Sequence, residues 1–196
     1  MAECKLHDFF FAPILFHLAG PIAAGQMGMT VGVANILLAF SSNWLVTKAP
    51  SLGGLIAQRK YTESRNLFKK SFFLSLLAAS FGTATFLLLA YLLNMSQHPF
   101  RYRFLPPVSI GLLLIATVFN LLSMNLSIYL RAQKKDPMAY LYLVSGIFTL
   151  GLALILGVRF GALGVTAAYF IVVIFFQAPI SILLFLRYRT DPHPVL

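Results

Sequence analysis

Acidic residues and cysteine are scarce in this 196-residue chain, and charged residues are too few for a water-soluble protein. Only five Asp and Glu residues are present against fifteen Lys and Arg, and charged residues make up 10% of the chain, whereas soluble domains carry about 25%. The single cysteine, Cys4, excludes an intrachain disulfide. Hydrophobic residues make up 59%, more than a soluble domain of this size can bury. The composition therefore predicts an all-α, polytopic transmembrane helix bundle.

The interiors of the long apolar runs contain no Asp, Glu, Lys or Arg. An ionisable residue inside a membrane is a functional site by default. Its absence leaves no proton-relay carboxylate, no buried cation for an anionic substrate, and no acid/base pair for hydrolysis or group transfer. We therefore predict a protein that is not an enzyme and that has no metal or cofactor site. The net charge of +10 does not predict nucleic-acid binding, because the basic residues lie at the ends of apolar runs.

Six apolar runs predict transmembrane helices within one membrane domain. They cover residues 9–24, 24–47, 71–94, 107–130, 138–157 and 162–186, and residues 190–196 are predicted to form a flexible tail. A helix needs about 20 residues to cross the hydrocarbon layer. The first run falls short, because it has only about 11 residues before Gly20-Pro21. It is the end of a longer span, a short or re-entrant span, or a signal peptide. Pro179 predicts a kink in the last run.

Residues 48–70 form the longest polar interruption and hold six of the fifteen basic residues. Leu52, Leu55 and Ile56 predict one apolar face of a short helix there, and Thr62 is a candidate N-cap for the next helix. The segment is either a loop that fixes topology or an amphipathic element lying on anionic headgroups.

The basic residues divide unequally between the two predicted sides of the membrane. Twelve fall on one side, namely Lys5, Lys48, Arg59, Lys60, Arg65, Lys69, Lys70, Arg131, Lys134, Lys135, Arg187 and Arg189. Three fall on the other, namely Arg101, Arg103 and Arg159. The positive-inside rule then predicts that the 48–70 loop and both termini are cytoplasmic.

Uncharged polar and small residues inside the runs are the remaining candidates for function. Five could line a hydrated cavity: Asn35, Thr117, Asn120, Asn125 and Gln177. The alternative is that they hydrogen-bond across helices and hold the bundle together. Three glycines on one stripe of the second run are candidates for close helix packing: Gly25, Gly28 and Gly32.

Three segments carry a resemblance to a known family. They are LAGPIAAGQMGMTVGVANIL at 18–37, TKAPSLGGLIAQRKYTESRNLFKKS at 47–71, and YLRAQKKDPMAYLYLVSGIFTLGLALILGVRFGALGVTAAY at 129–169. Together they resemble polysaccharide and O-antigen flippases of the multidrug/oligosaccharidyl-lipid/polysaccharide transporter superfamily. The similarity covers nearly the whole chain but only half of the family's usual architecture, which has about twelve spans in two lobes.

The resemblance implies a half-length transporter of the bacterial cytoplasmic membrane, similar to the second lobe. Two lobes would rock about a central cavity and pass the glycan of a lipid-linked oligosaccharide across, while its lipid stays in the bilayer. A homodimer or a separate first-lobe chain would complete the cavity. The cationic cavity residues expected for anionic glycans are absent, so the substrate is near neutral, or those residues belong to the other lobe, or the chain is inactive alone. The alternatives are cation-coupled multidrug efflux and an inactive remnant or scaffold subunit.

Overall fold

The computed structural model describes residues 6–96, 99–133 and 136–189, and every regular element in these ranges is helical. The elements are α1 (Leu6–Val46), α2 (Ala49–Ala57), α3 (Tyr61–Met95), a 3-10 turn (Pro99–Arg103), α4 (Pro107–Ala132), α5 (Met138–Ile171), a π-helical turn (Val172–Gln177) and α6 (Ala178–Arg189). The predicted all-α class is therefore confirmed. The predicted tail at 190–196 lies outside the described residues.

Four helical stretches are long and apolar enough to cross a membrane. They are Ala19–Ala57, Tyr61–Met95, Pro107–Ala132 and Met138–Tyr188. A stretch of 51 residues such as the last would be about 75 Å long if straight, well over the ~30 Å of the hydrocarbon layer. Length and composition thus support the membrane-spanning class, whereas the predicted count of six spans stays a prediction.

Two glycines interrupt the longest helices with backbone angles that side-chain-bearing residues avoid. Gly20 has φ 85° and ψ 176°, and Gly161 has φ 56° and ψ −132°. Only glycine adopts such conformations at low cost. Pro21 follows Gly20 and suits the first turn of the next helical segment, where its missing N–H is not needed. As a result α1 divides into arms at 6–19 and 21–46, and α5 divides into arms at 138–160 and 162–171.

Contacts across Gly161 show that the chain reverses direction there. The Ser145 hydroxyl lies 3.3 Å from Gln177 Oε1, although 32 residues of straight helix would separate them by about 48 Å. The rings of Phe148 and Phe176 are likewise 5.3 Å apart. Residues 138–189 therefore form an antiparallel helical pair, which we call the C-terminal hairpin.

The two ends of the bundle differ in chemistry. At the glycine end, Gly161 lies beside Ala19, with its Cβ position 3.9 Å from the Ala19 Cβ. At the same end Gln26 Nε2 donates to the Tyr102 carbonyl at 2.8 Å, which ties α1 to the 3-10 turn. The opposite end, which we call the basic end, carries α2, the first turns of α3, the last turn of α4 and the end of α6. The exposed basic side chains at this end are Lys48, Arg59, Lys60, Arg65, Lys69, Lys70, Arg131 and Arg187.

The apolar core is divided into two clusters, one toward each end. The cluster at the glycine end includes Leu15, Met27, Leu105, Ile110, Leu114, Ala153 and Val165. The cluster at the basic end comprises Leu45, Leu52, Phe68, Leu126, Tyr129, Leu130, Met138 and Leu141. Phe68 and Tyr129 stack with ring centroids 4.4 Å apart, and such aromatic pairs add stability beyond area burial. Polar side chains fill the space between the clusters.

The predicted basic loop at 48–70 is mostly helical. Residues 49–57 form α2 and residues 61–70 are the first turns of α3, which begins after Lys60 rather than at Thr62. Leu52 is fully buried in the basic-end cluster, and Leu55 and Ile56 are half-buried, so the apolar face of α2 packs partly on the bundle. The two interpretations of the 48–70 segment, a loop that fixes topology and an amphipathic element lying on anionic headgroups, stay predictions.

Candidate functional site

A layer of uncharged polar side chains separates the two apolar clusters. Its members come from the middle of α4, from both arms of the C-terminal hairpin and from the start of α6: Asn120, Ser123, Ser145, Tyr169, Gln177 and Ser181. Each is at most 4% exposed. We call this set the mid-bundle polar layer.

Asn120 is the centre of the mid-bundle polar layer. Its Oδ1 accepts a hydrogen bond from Gln177 Nε2 at 2.8 Å, and its Nδ2 donates to the Tyr169 hydroxyl at 3.2 Å. Asn120 and Gln177 are each 3% exposed, so these bonds form away from solvent. One amide on α4 thus fixes two positions on the second arm of the hairpin, because the side-chain amide of Asn offers both an acceptor and donors.

Serine hydroxyls extend the layer across the bundle. The one proton of the Ser145 hydroxyl is shared between the Tyr142 carbonyl at 3.0 Å, within the same arm, and Gln177 Oε1 at 3.3 Å, and the contact with Gln177 links the two arms of the hairpin. One turn farther toward the basic end, the hydroxyls of Ser123 and Ser181 are 3.0 Å apart. Interhelical hydrogen bonds of this kind contribute about 0.6 to 2 kcal/mol each in membrane proteins.

The π-helical turn aligns two members of the layer on one face. Tyr169 and Gln177 are eight residues apart, so a regular α-helix at 3.6 residues per turn would place them about 80° apart around the axis. The wider turn at Val172–Gln177 takes up part of that rotation, and both side chains reach Asn120. Pro179 lies two residues after this turn and lacks the N–H that a regular helix needs. The π turn is a feature common at functional sites, and the kink at Pro179 stays a prediction.

The five predicted cavity residues separate into one bonded pair and three residues placed elsewhere. Asn120 and Gln177 bond to each other within the layer. Asn125 instead faces α3, where its Nδ2 donates to Ser75 Oγ at 3.0 Å while its buried Oδ1 has no partner. Thr117 bonds to the carbonyl of Leu113 one turn back in its own helix. Asn35 is half-buried on α1, and no hydrogen bond joins it to the layer within the described residues.

Ser75, Ser145, Tyr169 and Ser181 were not predicted from the sequence. A usable signal for the first is the spacing on α3, where Ser71, Ser75 and Thr83 fall on one helical stripe. All three are buried against the neighbouring helices. The Tyr169 hydroxyl carries no such signal, because a tyrosine in an apolar run is compatible with lipid contact as well as with burial.

Among the described residues, the predicted packing glycines make no close approach to another helix. A Cβ at Gly25, Gly28 or Gly32 would meet no atom within 4 Å, and all three are exposed. Helices approach closely at Gly82 instead, whose Cβ position lies 2.8 Å from Leu37 Cδ2 on α1. Close helix packing at these exposed glycines therefore stays a prediction, and the helix that would pack there is not one of the described helices.

No protein-family model, characterised protein or solved structure matches this chain.

The chemistry of the layer is limited to neutral hydrogen bonding. Amide and hydroxyl groups both donate and accept, and they require no counter-charge when they are buried. Within residues 6–96, 99–133 and 136–189, no three His, Cys, Asp or Glu side chains gather in a way that would hold a metal ion. The arrangement therefore suits positioning of helices or recognition of neutral hydroxyl-bearing groups.

Proposed function

We propose that the chain is one half of a flippase-like transporter that moves lipid-linked oligosaccharide across the bacterial cytoplasmic membrane. The mid-bundle polar layer is the observation that carries this proposal. Polar side chains are costly at membrane depth, and their concentration between two apolar clusters marks the middle of the bundle as chemically specialised. Its neutral donors and acceptors match sugar hydroxyls, and the absence of charged members suits a near-neutral glycan.

A second six-helix unit is part of the proposal. The exposed stripe of Gly25, Gly28 and Gly32 on α1 gives another helix room to approach, since no described residue covers those positions. Either a second copy or a separate first-lobe chain would pack there, with half-buried Asn35 beside the seam. The translocation path would then run between the two units, and rocking about this contact would open it to each leaflet in turn.

Two observations support six spans rather than four. The reversal at Gly161 turns one stretch of 51 residues into two antiparallel arms. The break at Gly20 separates residues 6–19 from the rest of α1, and Leu15 on that arm is fully buried in the glycine-end cluster. With α3 and α4, the arms at 6–19, 21–46, 138–160 and 162–189 would make six.

We also propose that the basic end faces the cytoplasm, which a labelling experiment tests. In a Cys4→Ser background, Tyr61→Cys should resist a membrane-impermeant maleimide added to intact cells, whereas Ser96→Cys should react. Tyr61 begins α3 at the basic end and Ser96 follows its other end, and both are exposed. Permeabilised cells serve as the control, since both sites should label there. Labelling of Tyr61→Cys from outside would contradict the orientation.

Transport itself is tested with the purified chain in liposomes. Fluorescent lipid-linked neutral oligosaccharide should move between leaflets, and crosslinking should detect a dimer or a complex with a first-lobe chain. Movement of organic cations driven by a proton or sodium gradient, without glycan movement, would replace this proposal by multidrug efflux. A monomer that moves neither substrate would identify a scaffold. One observation favours the scaffold alternative: Asn120 and Gln177 already form a hydrogen bond with each other, as side chains that hold a bundle together do.

A further inference from the structure

Five basic residues just before and within the first turns of α3 form a surface of net positive charge, in which Glu63 is the one acidic residue. The five basic residues are Arg59, Lys60, Arg65, Lys69 and Lys70, which we call the cationic ladder. All are exposed, and none forms an ion pair in the part of the chain that the structure describes. In contrast, Arg131 at the same end binds Asp136 at 2.9 Å. The described residues therefore supply no ion-pair partner for the positive charge of the ladder.

The spacing of the ladder concentrates charge of one sign. Arg65 and Lys69 are four residues apart on α3, so their side chains lie on the same face and repel each other. The opposite face of these turns is used for packing, because Ser64, Phe68 and Ser71 are buried. The basic side chains of these turns are therefore confined to the exposed face of α3, and a bound anion would reduce the repulsion between them.

Arg59 is held in an unusual backbone conformation within this surface. Its φ is 60°, and it is the only described residue other than glycine with a positive φ. The conformation closes α2, with Lys60 N donating to the Leu55 carbonyl at 2.9 Å, a position that favours glycine. A guanidinium therefore stands where the backbone alone would select glycine, and such strain is typical of functional positions.

The lower cations of the ladder stand at the depth of the headgroup layer of a membrane. The apolar part of α3 begins at Ser71, and a helix rises about 1.5 Å per residue, so Lys70, Lys69 and Arg65 stand about 2, 3 and 9 Å beyond it. Headgroups occupy about 5 to 8 Å on each side of the hydrocarbon layer. When the apolar part of α3 crosses the bilayer, Lys69 and Lys70 therefore stand within this layer and Arg65 at its outer edge, whereas Arg59 and Lys60, about 15 Å out, attract lipid phosphates from the water side.

We propose that the cationic ladder binds the phosphate groups of anionic phospholipids in the leaflet at the basic end. Nucleic acid and soluble acidic proteins fit less well, because the lower cations stand at headgroup depth beside the exposed ring of Phe73. The proposal requires only that the chain lies in a membrane. It holds whether or not the chain transports a glycan, so a failed transport assay leaves it intact.

Titration with short-chain phosphatidylglycerol, with bound lipids counted by native mass spectrometry, tests the proposal. Lys69→Gln/Lys70→Gln should weaken phosphatidylglycerol binding about 25-fold, since each basic residue near a membrane surface contributes about fivefold. Phosphatidylcholine binding should not change. The matched control is Arg103→Gln/Arg159→Gln, which removes the same charge from the glycine end and should leave affinity within about twofold. Equal losses in the two double variants, or no loss in the first, would overturn the proposal.

Two further measurements keep the test independent of folding. Arg59→Gly should raise thermal stability in neutral detergent by relieving the positive φ, and yet weaken phosphatidylglycerol binding about fivefold. Loss of affinity in a more stable variant cannot come from misfolding. Wild-type affinity should also fall as salt rises from about 0.1 to 0.5 M, because screening shortens the reach of exposed charges. Unchanged affinity in Arg59→Gly together with salt-independent binding would contradict the proposal. Displacement of the lipid by inorganic phosphate at equal concentration would also contradict it.

Discussion

Gly164→Ala is expected to destabilise the protein by about 3 kcal/mol, the upper part of the range for overpacked cores. A Cβ at this position would collide with the carbonyl oxygen of Leu156 and lie 3.0 Å from the backbone nitrogen of Gly157. Both obstacles are backbone atoms of the facing arm, so no rotamer change relieves the collision. The two arms of the C-terminal hairpin must separate, which also strains the hydrogen bond between Ser145 and Gln177. Denaturant unfolding in detergent micelles, followed by circular dichroism, measures the loss.

Gly146→Ala is the control for this experiment. Gly146 is buried in the same hairpin, but a Cβ there would meet no atom within 4 Å. Alanine is favoured over glycine in a helix interior by roughly 0.5 to 1 kcal/mol, so this variant should be neutral or slightly more stable. If Gly164→Ala lowers the free energy of unfolding and Gly146→Ala leaves it unchanged or raises it, the loss is caused by the close approach of the two arms at Gly164. A stability change for Gly164→Ala as small as that of Gly146→Ala would contradict the packing described here.

Gln177→Leu is expected to lower both stability and transport. The variant removes the donor to Asn120 Oδ1 and the acceptor of the Ser145 hydroxyl, both inside the bundle. The expected cost is about 1 to 2 kcal/mol, since interhelical hydrogen bonds in membranes average below 1 and buried polar groups that lose a partner add to this. If the layer recognises the glycan, transport should fall at least about tenfold, the equivalent of 1.4 kcal/mol at the barrier.

A double-mutant cycle with Asn120→Leu separates the two roles of the layer. Loss of both partners should cost less than the sum of the single losses, with a coupling of about 0.5 to 2 kcal/mol, because neither amide is then left facing leucine. A purely structural layer predicts that Asn120→Leu/Gln177→Leu regains transport as it regains stability. A recognition layer predicts that transport stays low. Additive stability losses would mean that the 2.8 Å bond contributes little.

Much of the helical architecture is readable from local sequence. Apolar runs long enough to cross lipid predict the helices because the backbone must satisfy its own hydrogen bonds there. Gly20-Pro21 predicts a break because glycine accepts the positive φ and proline starts a new turn. The gap between the predicted runs at 138–157 and 162–186 implies a four-residue turn at 158–161, but residues 158–160 stay helical and a single glycine, Gly161, makes the whole reversal.

The candidate site was only partly predictable. Asn120 and Gln177 stand out because amides are rare in apolar runs, and the structure joins them. Their other partners, Tyr169 and Ser145, depend on tertiary contacts between residues 49 and 32 positions apart, which periodicity along one helix does not encode. Asn125 illustrates the limit, because it lies only five residues beyond Asn120 on α4 and yet points to α3.

The glycines show a similar division between local and tertiary information. The i, i+4 spacing of Gly28 and Gly32 predicts close packing, but neither glycine is covered by another helix within the described ranges. Gly82 and Gly164, which lie outside any such motif, are the ones approached by a neighbouring helix or arm. Which small residue is used depends on where two helices cross, and the crossing is set by the whole bundle rather than by the motif.

The π turn at Val172–Gln177 has a consequence for how this chain can change over evolution. A π turn holds one more residue than the α-helical turn that it replaces, so it behaves as a one-residue insertion inside α5–α6. Deleting one residue from 172–176 would restore a regular helix in which Tyr169 and Gln177 are seven residues apart, and their side chains would lie only about 20° apart around the axis. An aligned relative with a single gap at this position would therefore retain both the membrane helix and the shared face that reaches Asn120.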